Sequence, residues 1–129
     1  MISVELNGSK RLLIVSAAGH VSTDEVKEAA VRLHEALQMV APGLRALADF
    51  RCLESIHPSA APHISAIMKA LAEKKVASVI RIIPDPGKDV GLEMLAQFRY
   101  STELSISTVE TLVEALDCLL EQKVEVGTH

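Results

Sequence analysis

The stretch Leu44 to Asp49, LRALAD, is almost unbroken in apolar character, and this restricts the fold more than any other feature of the chain. Such a strand is buried on both faces, as central or parallel strands are, and therefore needs neighbouring layers to cover it. The flanking sequence supplies them. Val21-Ser22-Thr23-Asp24-Glu25-Val26 carries a helix start, with Ser22 as cap, Glu25 reaching back to the cap amide, and Val21 and Val26 at staple positions. Val26, Ala30, Leu33, Leu37 and Val40 then form one apolar stripe, and Pro42-Gly43 ends the helix near Ala41.

The same alternation continues along the chain. Ile2 to Leu6 and Arg11 to Ala17 are β-prone runs separated by Asn7-Gly8-Ser9-Lys10, a strong hairpin signal. Arg51 to Ala61 reads as an irregular stretch, followed by a helix with Pro62 in its first turn and Ile64, Ile67, Met68 and Leu71 on its buried face. Val76 to Ile83, VASVIRII, is the clearest strand, closed by Pro84-Asp85-Pro86-Gly87. A third helix is expected from Lys88 to Arg99 and a short strand from Leu104 to Ile106. Ser107 with Glu110 offers a second capping box, and Val109, Leu112, Val113, Leu116 and Leu120 line one side of the last helix. The tail from Lys123 to His129 is polar and is expected to fray. Hairpin, helix, strand, helix, strand, helix, strand, helix is an α/β order, with a mixed sheet of four to five strands and about four helices.

With 129 residues, 49% hydrophobic and 23% charged, the chain fits one globular domain with a core that needs no staples. Phe50, Phe98 and Tyr100 are the only aromatics, the formal charge is -4, and no basic cluster occurs. A nucleic-acid partner, which would need basic tracks or stacking faces, is therefore not expected. Cys52 and Cys118 fit no metal or redox spacing and read as buried thiols of a reducing cytosol. Charges interrupt the amino-terminal apolar run, which suits a strand pair better than a secretory signal, and the expected location is the cytoplasm.

Loops at the carboxyl ends of strands are the usual binding edge of such folds, which directs attention to CLESIHPSAA at residues 52–61. A loop entering a helix near Pro62 offers free first-turn amides to an anion or a partner's carboxylate, and Pro58 and Pro62 stiffen the approach. The plainer alternative has Ser59 capping the helix and His57 in solvent. Glu54, His57 and His63 match no established metal spacing, so neither metal nor cofactor is expected. Cys52 with His57, or Ser59 with His63 and Asp49, could be drawn as nucleophile sets. No G-x-S-x-G elbow or glycine-rich phosphate loop accompanies them, and a non-enzyme is favoured. Asp85 and Lys88 follow another central strand and could share the binding edge. The broad apolar arc of Val90, Leu92, Met94, Leu95 and Phe98 suits a homodimer contact, a pocket wall or simple burial.

Ala48-Asp49-Phe50 at a strand end, Ile56-His57-Pro58-Ser59-Ala60 at the turn, Gly19 after the second strand, and Leu104 to Glu110 followed by Ala115-Leu116 together resemble the STAS domain. That domain is named for sulfate transporters and anti-sigma factor antagonists, and the resemblance is to its SpoIIAA-like branch. It covers nearly the whole chain in order of elements, although each motif alone is weak. It implies a bacterial regulator that binds a protein such as an anti-sigma factor or a sensor kinase. In that family the turn carries a serine that an anti-sigma kinase phosphorylates. By this alignment the turn acid has become His57, the phosphorylated serine Pro58, and the glycine Ala60. Proline has no hydroxyl, so the usual acceptor is expected to be lost, and Ser59 could replace it only with the loop one residue out of register. The binding residues expected are Asp49, His57, Pro58, Ser59, His63, Asp85 and Lys88. The rival reading is a small-molecule or lipid binder with an apolar pocket beneath residues 88–99, and a minor enzyme comes third.

Overall fold

A computed structural model describes residues 1–7, 11–83 and 106–128. Strand β1 (Ile2–Asn7) pairs antiparallel with β2 (Leu12–Val21), from Ile2 opposite Ala17 to Asn7 opposite Leu12. The expected hairpin is therefore present, while residues 8–10 of its turn lie outside the described residues. Helix α1 (Thr23–Gln38) starts where the sequence puts it: the Ser22 hydroxyl accepts from the Glu25 amide at 3.2 Å. Glu25 does not reach the cap amide as expected. Its carboxylate accepts from the Ser22 hydroxyl at 3.3 Å and lies 2.9 Å from the amino-terminal ammonium. After α1, Gly43 turns the chain at φ +92°, a conformation that costs glycine little, and the Arg11 guanidinium donates to the carbonyls of Ala41 and Pro42.

Strand β3 (Arg45–Ile56) leads through a 3-10 turn (Pro58–Ala60) into α2 (Ala61–Glu73), then come β4 (Ser78–Ile82), β5 (Ile106–Val109) and α3 (Leu112–Thr128). The sheet runs β1-β2-β3-β4-β5, and β2 to β5 are mutually parallel. On one face Leu13, Ala46 and Val79 pack with Leu33 and Leu37 of α1 and Met68 and Leu71 of α2. On the other, Leu47, Ile80 and Ile82 meet Leu112, Ala115 and Leu119 of α3. All five residues of β4 are buried, as a parallel strand covered on both sides must be. The architecture is thus the expected α/β mixed sheet. Its described helices number three, and the helix expected at 88–99 lies outside the described residues. Among the described residues no helix is long and apolar enough to cross a membrane.

Two expectations about element bounds are corrected. Arg51 to Ile56 is strand, not loop: Ala18, Gly19, His20 and Val21 of β2 pair with Cys52, Leu53, Ser55 and Ile56, and two register shifts absorb the extra residues. The long partner strand overrides local polarity, because pairing with β2 satisfies backbone groups and lets Leu53 and Ile56 join Ala17, Val21 and Val26. Ser107 caps nothing. It sits in β5 opposite Ile80, and the cap of α3 is Thr111, whose hydroxyl accepts from the Glu114 amide at 3.1 Å. The buried Arg81 guanidinium donates to the Thr108 hydroxyl at 2.9 and 3.2 Å, which holds β5 extended past Ser107 to Val109.

The delayed start rotates the last helix. Leu112, Ala115, Cys118 and Leu119 face the sheet, whereas Val113, Leu116 and Leu120 are 67%, 48% and 59% exposed. Ala115, fully buried, lets α3 approach the sheet closely. Ala115→Leu is accordingly expected to destabilise the fold by about 1–3 kcal/mol through overpacking, while Leu116→Ala stays within about 0.5 kcal/mol of wild type. Chemical denaturation of the two variants checks the helix phase, and the reverse ranking would refute it.

Candidate functional site

The exposed turn that joins β3 to α2 is built from both of its ends. The His57 amide donates to the Val21 carbonyl at 3.0 Å, so the tip of β2 fixes where the turn begins. His57 is extended, with φ -60° and ψ 133°, the conformation that a following proline imposes. Pro58 then sets the first 3-10 position, and the Ala60 amide closes the turn on the His57 carbonyl at 2.9 Å. Ala60 itself is fully buried among Ala17, Val21 and Val26, which anchors the turn from beneath.

Above that anchor lies a small polar network. Nδ1 of His57 accepts from the Ser59 amide at 3.1 Å and lies 2.7 Å from the Ser59 hydroxyl. The same hydroxyl shares a hydrogen bond with Thr23, the first residue of α1. Ser59 does not cap α2, whose start at Ala60 has no side-chain hydrogen bond. His57 is exposed, as the plainer alternative holds, but its ring is an engaged acceptor and not a free solvent group.

The other expected residues are distributed differently. Asp49 is not at a strand end: it lies inside β3 opposite Ser16 and Ile82, seven positions before the strand's last residue. It accepts from the Arg51 amide at 3.1 Å, Nε at 2.9 Å and Nη2 at 2.7 Å. The side-chain bonds from Arg51 hold its carboxyl below the usual carboxylate value. Asp49 and Cys52 line a cavity of about 120 Å³ with Ser3, Ser16 and Met1, apart from the turn. His63 stands in the first turn of α2 with no hydrogen bond to His57 or Ser59. Glu54 turns to His20, with 3.0 Å to Nε2, and not to His57 or His63. Asp85 and Lys88 lie outside the described residues. Cys52 is exposed and not buried.

Neither nucleophile set drawn from the sequence is assembled: Ser59 meets His57 and not His63, and among the described residues no third group orients the His57 ring. Among the described residues no three His, Cys, Asp or Glu side chains converge on a metal position. The sequence reading missed two participants. Thr23 is hidden inside a capping motif and meets Ser59 only through the approach of α1 to the turn. His20, bonded through Nδ1 to the Ser55 hydroxyl at 2.6 Å, becomes visible only once β3 is known to continue to Ile56. An apolar cavity of about 100 Å³ also opens between the sheet and helices α1 and α2. Val15, Ala48, Phe50, Ile64 and Met68 are among its lining residues, and among the described residues Arg81 is its only charged one.

An antiparallel hairpin continued by three parallel strands, with α1 and α2 on one face and the last helix on the other, has close counterparts among solved structures. The unphosphorylated form of the anti-sigma factor antagonist SpoIIAA superposes with a TM-score of 0.64 at 16% identity, over 92% of this chain and 97% of that one. The fold is SpoIIAA-like. A SpoIIAA-like protein of Shewanella loihica gives a TM-score of 0.69 at 20% identity over 92% of each chain. The phosphorylated Bacillus cell fate determinant SpoIIAA gives 0.57 at 18% identity, over 92% and 99%. No protein-family model matches the sequence, and no curated relative does.

Within this SpoIIAA-like sheet the Asp49 to Arg51 pair has a defined pH signature. Its depressed carboxyl pKa means that the stabilisation is present above the unfolded value, near 3.8, and is lost as pH falls through the folded value. Asp49→Asn should cost under about 1 kcal/mol at pH 7, the range of a solvent-screened pair. The gap to wild type should narrow below about pH 4. Urea titrations at pH 7 and pH 3 measure it, and a gap that widens in acid would contradict the assignment.

Proposed function

We propose that this chain is a regulatory docking domain that binds a protein partner through the turn from His57 to Ala60 and performs no chemistry of its own. The partner is of the kind that SpoIIAA-like antagonists meet, an anti-sigma factor or a sensor kinase. One observation carries the reading: an exposed turn is clamped by a buried alanine below and by hydrogen bonds to β2 and α1 above. A preformed surface loses little conformational entropy on binding, which is what a recognition element at a strand end needs. The turn works without the usual phosphate switch. Pro58 has no hydroxyl, and a phosphate on Ser59 would break the bonds of that hydroxyl to His57 and Thr23. His63, in the first turn of α2, stands at the rim of the docking edge, and Asp49 braces β3 behind it.

The test is a partner recovered from the host and mapped by a photo-crosslinker at position 58. Pro58→Arg should weaken its binding by at least about ten-fold, the loss of one central contact. Glu35→Arg, on the exposed face of α1, should leave binding unchanged. Equal binding by Pro58→Arg and wild type would exclude the turn. Phosphate on Ser59 after incubation with host extract and ATP would end the switchless reading.

The apolar cavity supports a second function, the binding of a small apolar ligand. Its volume of about 100 Å³ suits a few methylenes or a small ring, not a whole lipid. It lies under α1 and α2, whereas the pocket expected from the sequence, at residues 88–99, falls outside the described residues. Native mass spectrometry of protein purified without added ligand decides the point: a bound apolar species, lost in Met68→Phe, is the expected result if the cavity is a site. Bare protein mass alone would remove this function.

A further inference from the structure

The network at the turn contains a constraint on protonation. An imidazole nitrogen that accepts a hydrogen bond must carry its lone pair, so the Ser59 amide, 3.1 Å from Nδ1 of His57, is satisfied only while that nitrogen holds no proton. In that state the Ser59 hydroxyl, 2.7 Å from Nδ1, can donate to the ring while accepting from Thr23. A proton added to Nδ1 reverses every bond. The ring becomes a donor to the Ser59 oxygen, Ser59 must pass its own hydrogen to Thr23, and the Ser59 amide is left facing another donor.

We infer that a proton on Nδ1 of His57 uncaps the turn, so that docking at this surface is gated by pH. The inference rests on the docking reading and names its regulation. Among the described residues the ring of His57 is bonded only to Ser59. The elements around it bring His20 from β2, Glu54 from β3, Asp24, Glu25 and Lys27 from the start of α1, and His63 from α2. None of these bonds His57: Glu25 is engaged by the amino terminus and Glu54 by His20.

Nitrogen NMR of the His57 ring and amide NMR of Ser59 test this on the protein alone, between about pH 8 and pH 5. The expected result at high pH is a ring protonated on Nε2. On acidification the Ser59 amide shift should follow the ring titration, and its exchange protection should fall about five-fold, the factor of one lost cap. His57→Asn supplies a side-chain oxygen that caps the same amide without titrating, so Ser59 should become insensitive to pH. His20→Asn should leave the Ser59 response intact. A ring protonated on Nδ1 at high pH, or a Ser59 amide indifferent to the titration of His57, would overturn the inference. Partner binding is read separately: a partner that binds equally at both pH values removes the gating and leaves docking standing, whereas no binding to the turn at either pH removes the docking reading itself.

Discussion

The pairing of β2 with β3 is the constraint on which the rest depends. Strand β2 serves an antiparallel neighbour from Leu12 to Ala17 and a parallel one out to Val21, so its backbone groups are committed on both sides over most of its length. The twelve residues of β3 outrun the ten of β2, and the surplus is taken up by two register shifts, between Asp49 and Cys52 and between Leu53 and Ser55. Each shift adds twist and re-aims the side chains beyond it. Gly19, at φ +68°, lies where β2 accommodates the second one. The tips of the two strands consequently end together, with Val21 opposite Ile56 and the next amide, of His57, bonded back to Val21. The turn is placed by this ladder before any of its own side chains act.

Local signals were sufficient where local chemistry decides. Ser22 is a cap because its hydroxyl meets an amide three residues away, and the helix at Pro62 begins there because proline sacrifices nothing in a first turn. The failures share one cause, a choice made by distant residues. Arg51, Cys52 and Glu54 look like a loop because they are exposed, yet strand pairing with β2 is indifferent to exposure. Ser107 to Glu110 and Thr111 to Glu114 are equally good capping boxes. The choice falls to the second because Arg81, buried in the neighbouring strand, engages Thr108. A helix that starts four residues later turns a different stripe inward, which is why Leu119 is packed and Leu116 is not.

The candidate site follows the same division. That residues 57–59 lie exposed at the carboxyl end of a strand could be read from proline, serine and histidine in sequence. That Ser59 is joined to Thr23 could not, because the two are 36 positions apart and meet only where α1 begins beside the turn. Asp49 was drawn into the site by its place after an apolar run. The bidentate bond from Arg51 shows that this acid instead braces the strand where the first register shift begins.

The turn from His57 to Ala60 is held in one shape by two of its own residues. The methyl group of Ala60 is packed against Ala17, Val21 and Val26. Pro58 restricts its own backbone dihedral. Together they leave the turn little freedom. What remains polar in the turn is the hydroxyl of Ser59 and the ring of His57, bonded to each other. In such an arrangement charge can enter the turn by a proton on the ring, with no bulky group to be accommodated.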